Sequence, residues 1–173
     1  MASPARTPRL TKILGMGQVI RRAEAKDSAR LGELHSQCWP ELYPTILSAQ
    51  IVADLDAATM AGLWAKFVAR GDGYLQWVAE VDGVVVGFAG VGPGREPGYE
   101  GASELYFIYV DPNSRRARLG TKLLAQATPD YLWIHEANRD SQKFYRKQKY
   151  FPDSVRRVGS LFGADLPELR MSH

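Results

Sequence analysis

A chain of 173 residues with 45% hydrophobic content is long enough to bury one core and too short for two ordinary domains, so we expect one domain. The net charge of +3 suits an anionic ligand, but it is lower than the charge of a dedicated nucleic-acid-binding protein. No apolar run approaches the roughly 18 residues that span a bilayer. The single cysteine, Cys38, excludes an intrachain disulfide, and we expect a cytoplasmic protein without membrane or nucleic-acid partners.

The first 16 residues carry basic side chains and only a short apolar run, which is too short for a signal peptide. We expect residues 1–16 to be a disordered tail and residues 17–173 to form the domain.

The amino-terminal part predicts a strand followed by helices. Gln18–Arg22 alternates like a first strand, and Asp27 is placed to cap a helix that ends before Pro40. The apolar residues of that helix recur at i, i+3, i+4 and i+7, namely Leu31, Leu34, His35 and Cys38. Two further helical stretches are predicted near residues 48–55 and 60–67.

The middle of the chain predicts antiparallel strands. Residues 74–81 and 84–91 flank an Asp-Gly pair, the strongest short hairpin signal. Residues 93–98 are rich in proline and glycine and predict a loop. Residues 104–110 are apolar along their whole length, which indicates a buried central strand.

The carboxy-terminal third predicts a crossover. A short helix over residues 121–127 leads to a strand at 131–136, a helix follows at 139–149, and two weaker strands end the chain. A strand, helix and strand between residues 104 and 136 imply one parallel pair. The fold class predicted is α/β of the α+β type: a mixed, mostly antiparallel central sheet of about six or seven strands, flanked by helices.

Three arginines, Arg115, Arg116 and Arg118, lie in the turn VDPNSRRARLG between the central strand and the next helix. Such a turn presents backbone N–H groups and a positive helix end to an anion. The same pattern also fits a solvated basic turn, and the turn alone leaves both interpretations open.

In wider context the chain resembles the GNAT superfamily of N-acetyltransferases. The family fingerprint for the acyl-CoA pyrophosphate is Gln or Arg, two residues, Gly, one residue, then Gly or Ala, and the frame here is RRARLG, residues 115–120. The segment HEANRDSQKFYRKQKYF resembles a second family motif, with Asn138 and Tyr145 in the matching places. Two positions depart from the pattern: Arg118 replaces the first glycine, and Lys149 replaces a glycine that often follows the tyrosine-bearing helix.

The resemblance implies acetyl-CoA as co-substrate, no metal, and a small-molecule amine or peptide as acceptor. It implies that the cofactor is bound by Ile108, Tyr109, Val110, Arg115, Arg116, Ala117, Arg118, Leu119, Gly120, Thr121, Asn138 and Tyr145. A homodimer is compatible with the sequence.

The resemblance also implies two catalytic residues. Tyr145 matches the tyrosine that gives a proton to the CoA thiolate, and Glu104 matches a glutamate that acts as general base in one branch of the family. Both have a structural alternative, Tyr145 as a packed ring and Glu104 as a solvated strand end. Asn138, which the resemblance assigns to the pantetheine, has the alternative of a helix N-cap.

For the other candidate residues, a structural role is favoured over a functional one. His35 and Cys38 have metal-like spacing but lie on an apolar helix face, which favours core. His135 could reach the substrate side, although a partly buried structural role is favoured. Trp39, Tyr43, Trp64 and Trp133 offer aromatic surface to an acceptor, in a pocket built by the first helices and the 93–98 loop, and are otherwise core. A catalytically silent acyl-CoA sensor is the alternative function.

Overall fold

The computed structural model describes residues 17–115 and 117–173, so the predicted tail and Arg116 lie outside the described residues. The strands are β1 Gln18–Arg22, β2 Leu75–Val81, β3 Val84–Pro93, β4 Ser103–Val110, β5 Tyr131–His135, β6 Phe151–Leu161 and β7 Ala164–Ser172. The helices are α1 Ser28–Leu42, α2 Ala49–Asp54, α3 Ala57–Ala69, α4 Leu119–Ala127 and α5 Arg139–Lys147.

The strands form one sheet in the order β1-β2-β3-β4-β5-β7-β6, in which β4 and β5 are parallel and the other described neighbours are antiparallel. This confirms the predicted mixed sheet and its crossover. Within the described residues, no helix combines the length and the apolar character needed to cross a membrane.

Two apolar clusters cover opposite faces of the sheet. On one face, α1 and α3 pack Leu31, Leu34 and Trp64 against Val78 and Phe88. On the other, α4 contributes Leu119, Leu123 and Leu124 to a cluster that also holds Tyr145 of α5. His35 and Cys38 lie on the buried face of α1, which confirms that this pair belongs to the core.

Helix α1 differs from its prediction at both ends. It continues through Pro40 to Leu42, because a proline near the end of a helix removes only one backbone donor, and the Tyr43 N–H still bonds the Trp39 carbonyl at 3.0 Å. Asp27 holds the N-cap position, but its carboxylate binds the Arg21 guanidinium at 2.7 and 2.9 Å and makes no cap bond to α1.

A β-bulge in β4 ends its pairing with β5. Leu105 pairs with Val91 and Phe107 with Gly90, so Tyr106 is an extra residue. A Cβ at Gly90 would collide with the Phe107 ring, so glycine is required where that ring crosses β3. On the other edge of β4, pairing with β5 stops at Leu105, directly before the bulge. Because a bulge bends a strand and breaks its ladder, β4 and β5 part from this point onward.

Candidate active site

A cavity of about 980 Å³ opens where β4 and β5 part. Its walls are residues 105–110 of β4, residues 133–135 of β5, the end of α1 with the segment that follows it, and the amino-terminal ends of α4 and α5. The cavity therefore meets the unpaired edge of β4 and two positive helix ends at once.

Backbone alternation decides which amides of β4 face this cleft. The Asp111 N–H donates to the Val86 carbonyl of β3 at 2.8 Å, so Ile108 and Val110 direct their backbone groups to the opposite edge. The Val110 carbonyl accepts the Arg115 Nε at 3.0 Å, which agrees with this direction. The backbone of Tyr109 belongs to the β3 edge, and only its side chain contributes to the cavity.

The first turn of α4 has the backbone arrangement that the predicted anion cradle requires, and its binding role stays a prediction. The Lys122 N–H is bonded to the Arg118 carbonyl at 3.0 Å, and the amides of Leu119, Gly120 and Thr121 before it have no acceptor within the helix. All three residues line the cavity. A Cβ at Gly120 would lie 3.5 Å from the Phe144 ring, an ordinary van der Waals contact, so the packing alone does not require glycine here.

The arginine that replaces the family glycine adopts the conformation glycine favours. Arg118 has φ 58° and ψ 20°, in the left-handed region, and Lys149, at the second departure, has φ 71°. A side chain in this region costs about 1–2 kcal/mol. The cradle backbone is therefore formed despite the substitution, and the Arg118 side chain is an addition to the cavity wall.

Ten of the twelve residues assigned to cofactor binding line the cavity: Ile108, Tyr109, Val110, Arg115, Arg118, Leu119, Gly120, Thr121, Asn138 and Tyr145. Ala117 does not, because it packs against the core beneath α4. The binding role of these residues stays a prediction.

Arg115 makes an ion pair that sequence reasoning missed. Its Nη2 lies 2.5 Å from a Glu41 carboxylate oxygen, and the other Glu41 oxygen accepts the Tyr109 hydroxyl at 2.8 Å. The contact joins the turn after β4 to the end of α1, 74 positions earlier in the sequence, so no local pattern reveals it.

Tyr145 and Asn138 lie in α5 and at its start. The Tyr145 ring is buried against Phe144 and Tyr150 and also lines the cavity, so its packing is compatible with the acid role, which stays a prediction. Burial raises its pKa well above the ordinary value, so the phenol keeps its proton at neutral pH and enters chemistry only as a donor. The Asn138 Oδ1 accepts the Ser141 N–H at 3.0 Å, which confirms the N-cap, while its amide NH₂ remains available to a ligand.

Glu104 lies outside the cavity. It is fully buried, its carboxylate pairs with the Arg95 guanidinium, and it accepts the Tyr131 hydroxyl at 2.9 Å and the Arg95 N–H at 3.2 Å. The geometry does not support the predicted general base. It also excludes the alternative of a solvated strand end, since Glu104 ties the 94–102 loop to β4 and β5.

The wall opposite the cradle carries aromatic residues. Trp39, Tyr43 and Trp133 line it, whereas Trp64 is fully buried in the core and residues 93–98 take no part. Glu168 of β7 also lines this wall and accepts the Arg157 Nε at 2.7 Å. Burial, and then the Glu168 charge, raise the pKa of Tyr43.

The family model of the acetyltransferase (GNAT) family matches residues 28–150, and the chain belongs to this family. No curated protein sequence matches the chain. Within the described residues, no group of three or more His, Cys, Asp or Glu side chains could hold a metal ion.

Solved structures share the fold over nearly the whole chain. The ribosomal-protein-alanine N-acetyltransferase of Brucella melitensis has 28% identity and a TM-score of 0.68, covering 89% of this chain and 98% of that chain. The PaiA N-acetyltransferase of Thermoplasma acidophilum, in complex with coenzyme A, has 19% identity and a TM-score of 0.68, covering 91% and 100%. The yncA protein of Salmonella typhimurium, solved with its cofactor acetyl-CoA, has 22% identity and a TM-score of 0.64, covering 90% and 94%.

Replacing Glu104 by glutamine tests its structural role. We expect Glu104→Gln to lower the free energy of unfolding by about 1–3 kcal/mol, because the buried Tyr131 hydroxyl and the exposed Arg95 guanidinium lose a charged partner. Urea unfolding measures the change, and the exposed Glu33→Gln is the matched control, expected to shift stability by less than about 0.5 kcal/mol. Unchanged stability combined with a 100-fold or greater loss of kcat would contradict this role and restore the general base.

Replacing Arg118 by glycine distinguishes the effect of its backbone conformation from the effect of its side chain. We expect Arg118→Gly and Lys149→Gly each to stabilise the fold by about 0.5–1 kcal/mol, since both remove left-handed strain. Only Arg118→Gly should weaken CoA binding, by about 5- to 10-fold, because the cradle backbone is unchanged and a guanidinium is lost. Calorimetric titration at fixed salt measures the affinity. Tighter binding by Arg118→Gly would mean that the side chain obstructs the cradle.

Proposed function

We propose that the chain is an acetyl-CoA-dependent N-acetyltransferase that moves an acetyl group to a primary amine of a small molecule or peptide within a ternary complex. The observation that carries the proposal is the cleft itself. Two cleft-facing backbone positions, Ile108 and Val110, run directly into a turn whose next helix offers three amides without intrahelical partners. An extended chain of amides that ends in a diphosphate is the ligand that fits both features.

Acetyl-CoA, when bound, supplies an acetyl group activated as a thioester. The backbone N–H groups of Ile108 and Val110 hold the pantetheine arm and the thioester oxygen, as a strand added to the sheet edge. The amides of Leu119, Gly120 and Thr121 bind the diphosphate, supported by Arg118. Tyr145 holds the proton that the departing sulfur requires.

The acceptor enters from the aromatic wall. Trp39, Tyr43 and Trp133 provide surface against which an apolar part of the acceptor packs. One face of the Trp133 ring already holds the Arg157 guanidinium at 4.0 Å, and Trp39 stacks with His35. A peptide acceptor is supported by the likeness to the Brucella melitensis enzyme, whose name specifies a protein alanine.

A silent acyl-CoA sensor is favoured by one observation: the carboxylate in the general-base position, Glu104, is buried and engaged. One assay distinguishes the two functions: thiol release from acetyl-CoA in the presence of a broad panel of amines. Binding of acetyl-CoA without amine-dependent release would establish the sensor.

Tyr145→Phe tests the acid within the same assay. We expect kcat to fall on the order of 100-fold with acetyl-CoA affinity nearly unchanged, because the ring still packs and only the proton donor is lost. Tyr99→Phe, on the 94–102 loop outside the cavity, is the matched control and should turn over normally. An unchanged kcat in Tyr145→Phe would remove this residue from the acid role.

A further inference from the structure

We propose that His135 accepts the proton of the acceptor ammonium through its Nε2 atom, an inference that rests on the proposed acetyl transfer. His135 ends β5 and lines the cavity.

The imidazole is held in one tautomer. Its Nδ1 lies 2.9 Å from the backbone carbonyl of Pro167 in β7. A carbonyl oxygen only accepts, so Nδ1 carries the hydrogen and Nε2 of the neutral ring has a free lone pair. Because Pro167 belongs to the sheet, the anchor fixes the direction of the ring as well as its tautomer.

The register of the sheet brings His135 between the cleft-facing amides of Ile108 and Val110. Leu105 pairs with Leu132, and because Tyr106 is an extra residue in β4, three steps along β5 to His135 correspond to four steps along β4, to Tyr109. The two strands have parted at this level, which leaves space between them for a thioester.

The acid and the base approach from opposite faces of the sheet. Leu132 and Ile134 pack in the cluster beneath α4, so the alternation of β5 directs Trp133 and His135 to the α1 face. Tyr145 belongs to the α4 cluster on the other face. An acceptor on the aromatic wall is therefore beside His135, while the sulfur leaves on the side of Tyr145.

Several charged or titratable groups surround His135. Glu168 is directly opposite His135 in the β5–β7 register and lines the same wall. Its carboxylate is held by Arg157 at 2.7 Å. The other charged or titratable groups facing this region from neighbouring elements are Tyr43 after α1, Glu136 paired with Arg156 of β6, and Arg139 and Asp140 of α5.

Two other proton acceptors of the cavity are poor candidates for the base, because one is engaged in other contacts and the other is too weak a base. Glu41 is occupied by Arg115 and Tyr109. His35 lies among four aromatic rings, and its burial lowers its pKa to about 4, which makes it a poor base at neutral pH.

The proton balance follows from these positions. His135 Nε2 takes one proton from R–NH₃⁺, which leaves R–NH₂ and an imidazolium that returns the proton to solvent. The amine nitrogen then forms the C–N bond to the acetyl carbon, and the C–S bond breaks. Tyr145 gives its proton to the departing sulfur and regains one from the new amide nitrogen, so the products are the amide, the thiol and one released proton.

His135→Asn removes Nε2 and places an amide donor near the position of Nδ1, within reach of Pro167. We expect kcat/KM at neutral pH to fall on the order of 10²–10⁴-fold with acetyl-CoA affinity unchanged. The variant should also lose the acidic limb of the wild-type kcat/KM profile against pH, which a merely structural role of His135 would leave in place. His173→Asn, which removes an imidazole that contacts the Tyr150 ring outside the cavity, is the matched control and should keep both rate and limb.

The outcomes separate this inference from the proposed function. A wild type that releases no thiol with any amine overturns the function and the role of His135 with it. A wild type that turns over, together with a His135→Asn variant that keeps the acidic limb, overturns the role of His135 alone. If thermal melting shows that His135→Asn does not fold, His135→Gln is measured in its place, with the same loss of rate and limb expected.

Discussion

The parting of β4 and β5 is the constraint on which the site depends. The strands exchange only the pairs at Glu104 and Leu105, and the bulge at Tyr106 ends their ladder. Beyond it, the half-buried Ile108 and Val110 direct backbone groups into the cavity. Under the proposed function, the ligand pairs with this edge as an added strand.

The rest of the fold arranges helix ends and side chains around that opening. Helices α4 and α5 both begin at the cavity, which concentrates positive potential where an anion would lie. Helix α1 closes the opposite side through the Glu41 contact with Arg115. Under the proposed function, a bound diphosphate competes with Glu41 for this guanidinium, so the cofactor side and the acceptor side of the cavity are linked by one ion pair.

Local patterns were sufficient for most of the fold. The Asp-Gly hairpin, the apolar central strand and the crossover helix are each encoded by neighbouring residues, and the structure has all three. The bulge at Tyr106 was not predictable, because it requires the register between two strands. The glycines of β3 were its one local trace, since Gly90 lies where the Phe107 ring crosses the strand.

The parts of the candidate site that consist of contiguous backbone were predictable from the sequence. The parts that depend on contacts between side chains distant in sequence were not. The cradle at Leu119–Thr121 follows from a turn and a helix start, which are contiguous in sequence. Glu104 has the sequence position of a base, but Arg95 and Tyr131 reach it from a loop and another strand and remove it from the cavity. His135 depends likewise on Pro167, 32 positions away.

The central claim is that the parted β4 edge and the first turn of α4 bind one continuous ligand. A crystal structure of the complex with CoA tests it most directly. We expect pantetheine groups within hydrogen-bond distance of the Ile108 and Val110 backbone, diphosphate oxygens on the amides of Leu119, Gly120 and Thr121, and the sulfur beside the Tyr145 hydroxyl. A CoA molecule bound elsewhere, with the β4 edge uncovered, would contradict the claim.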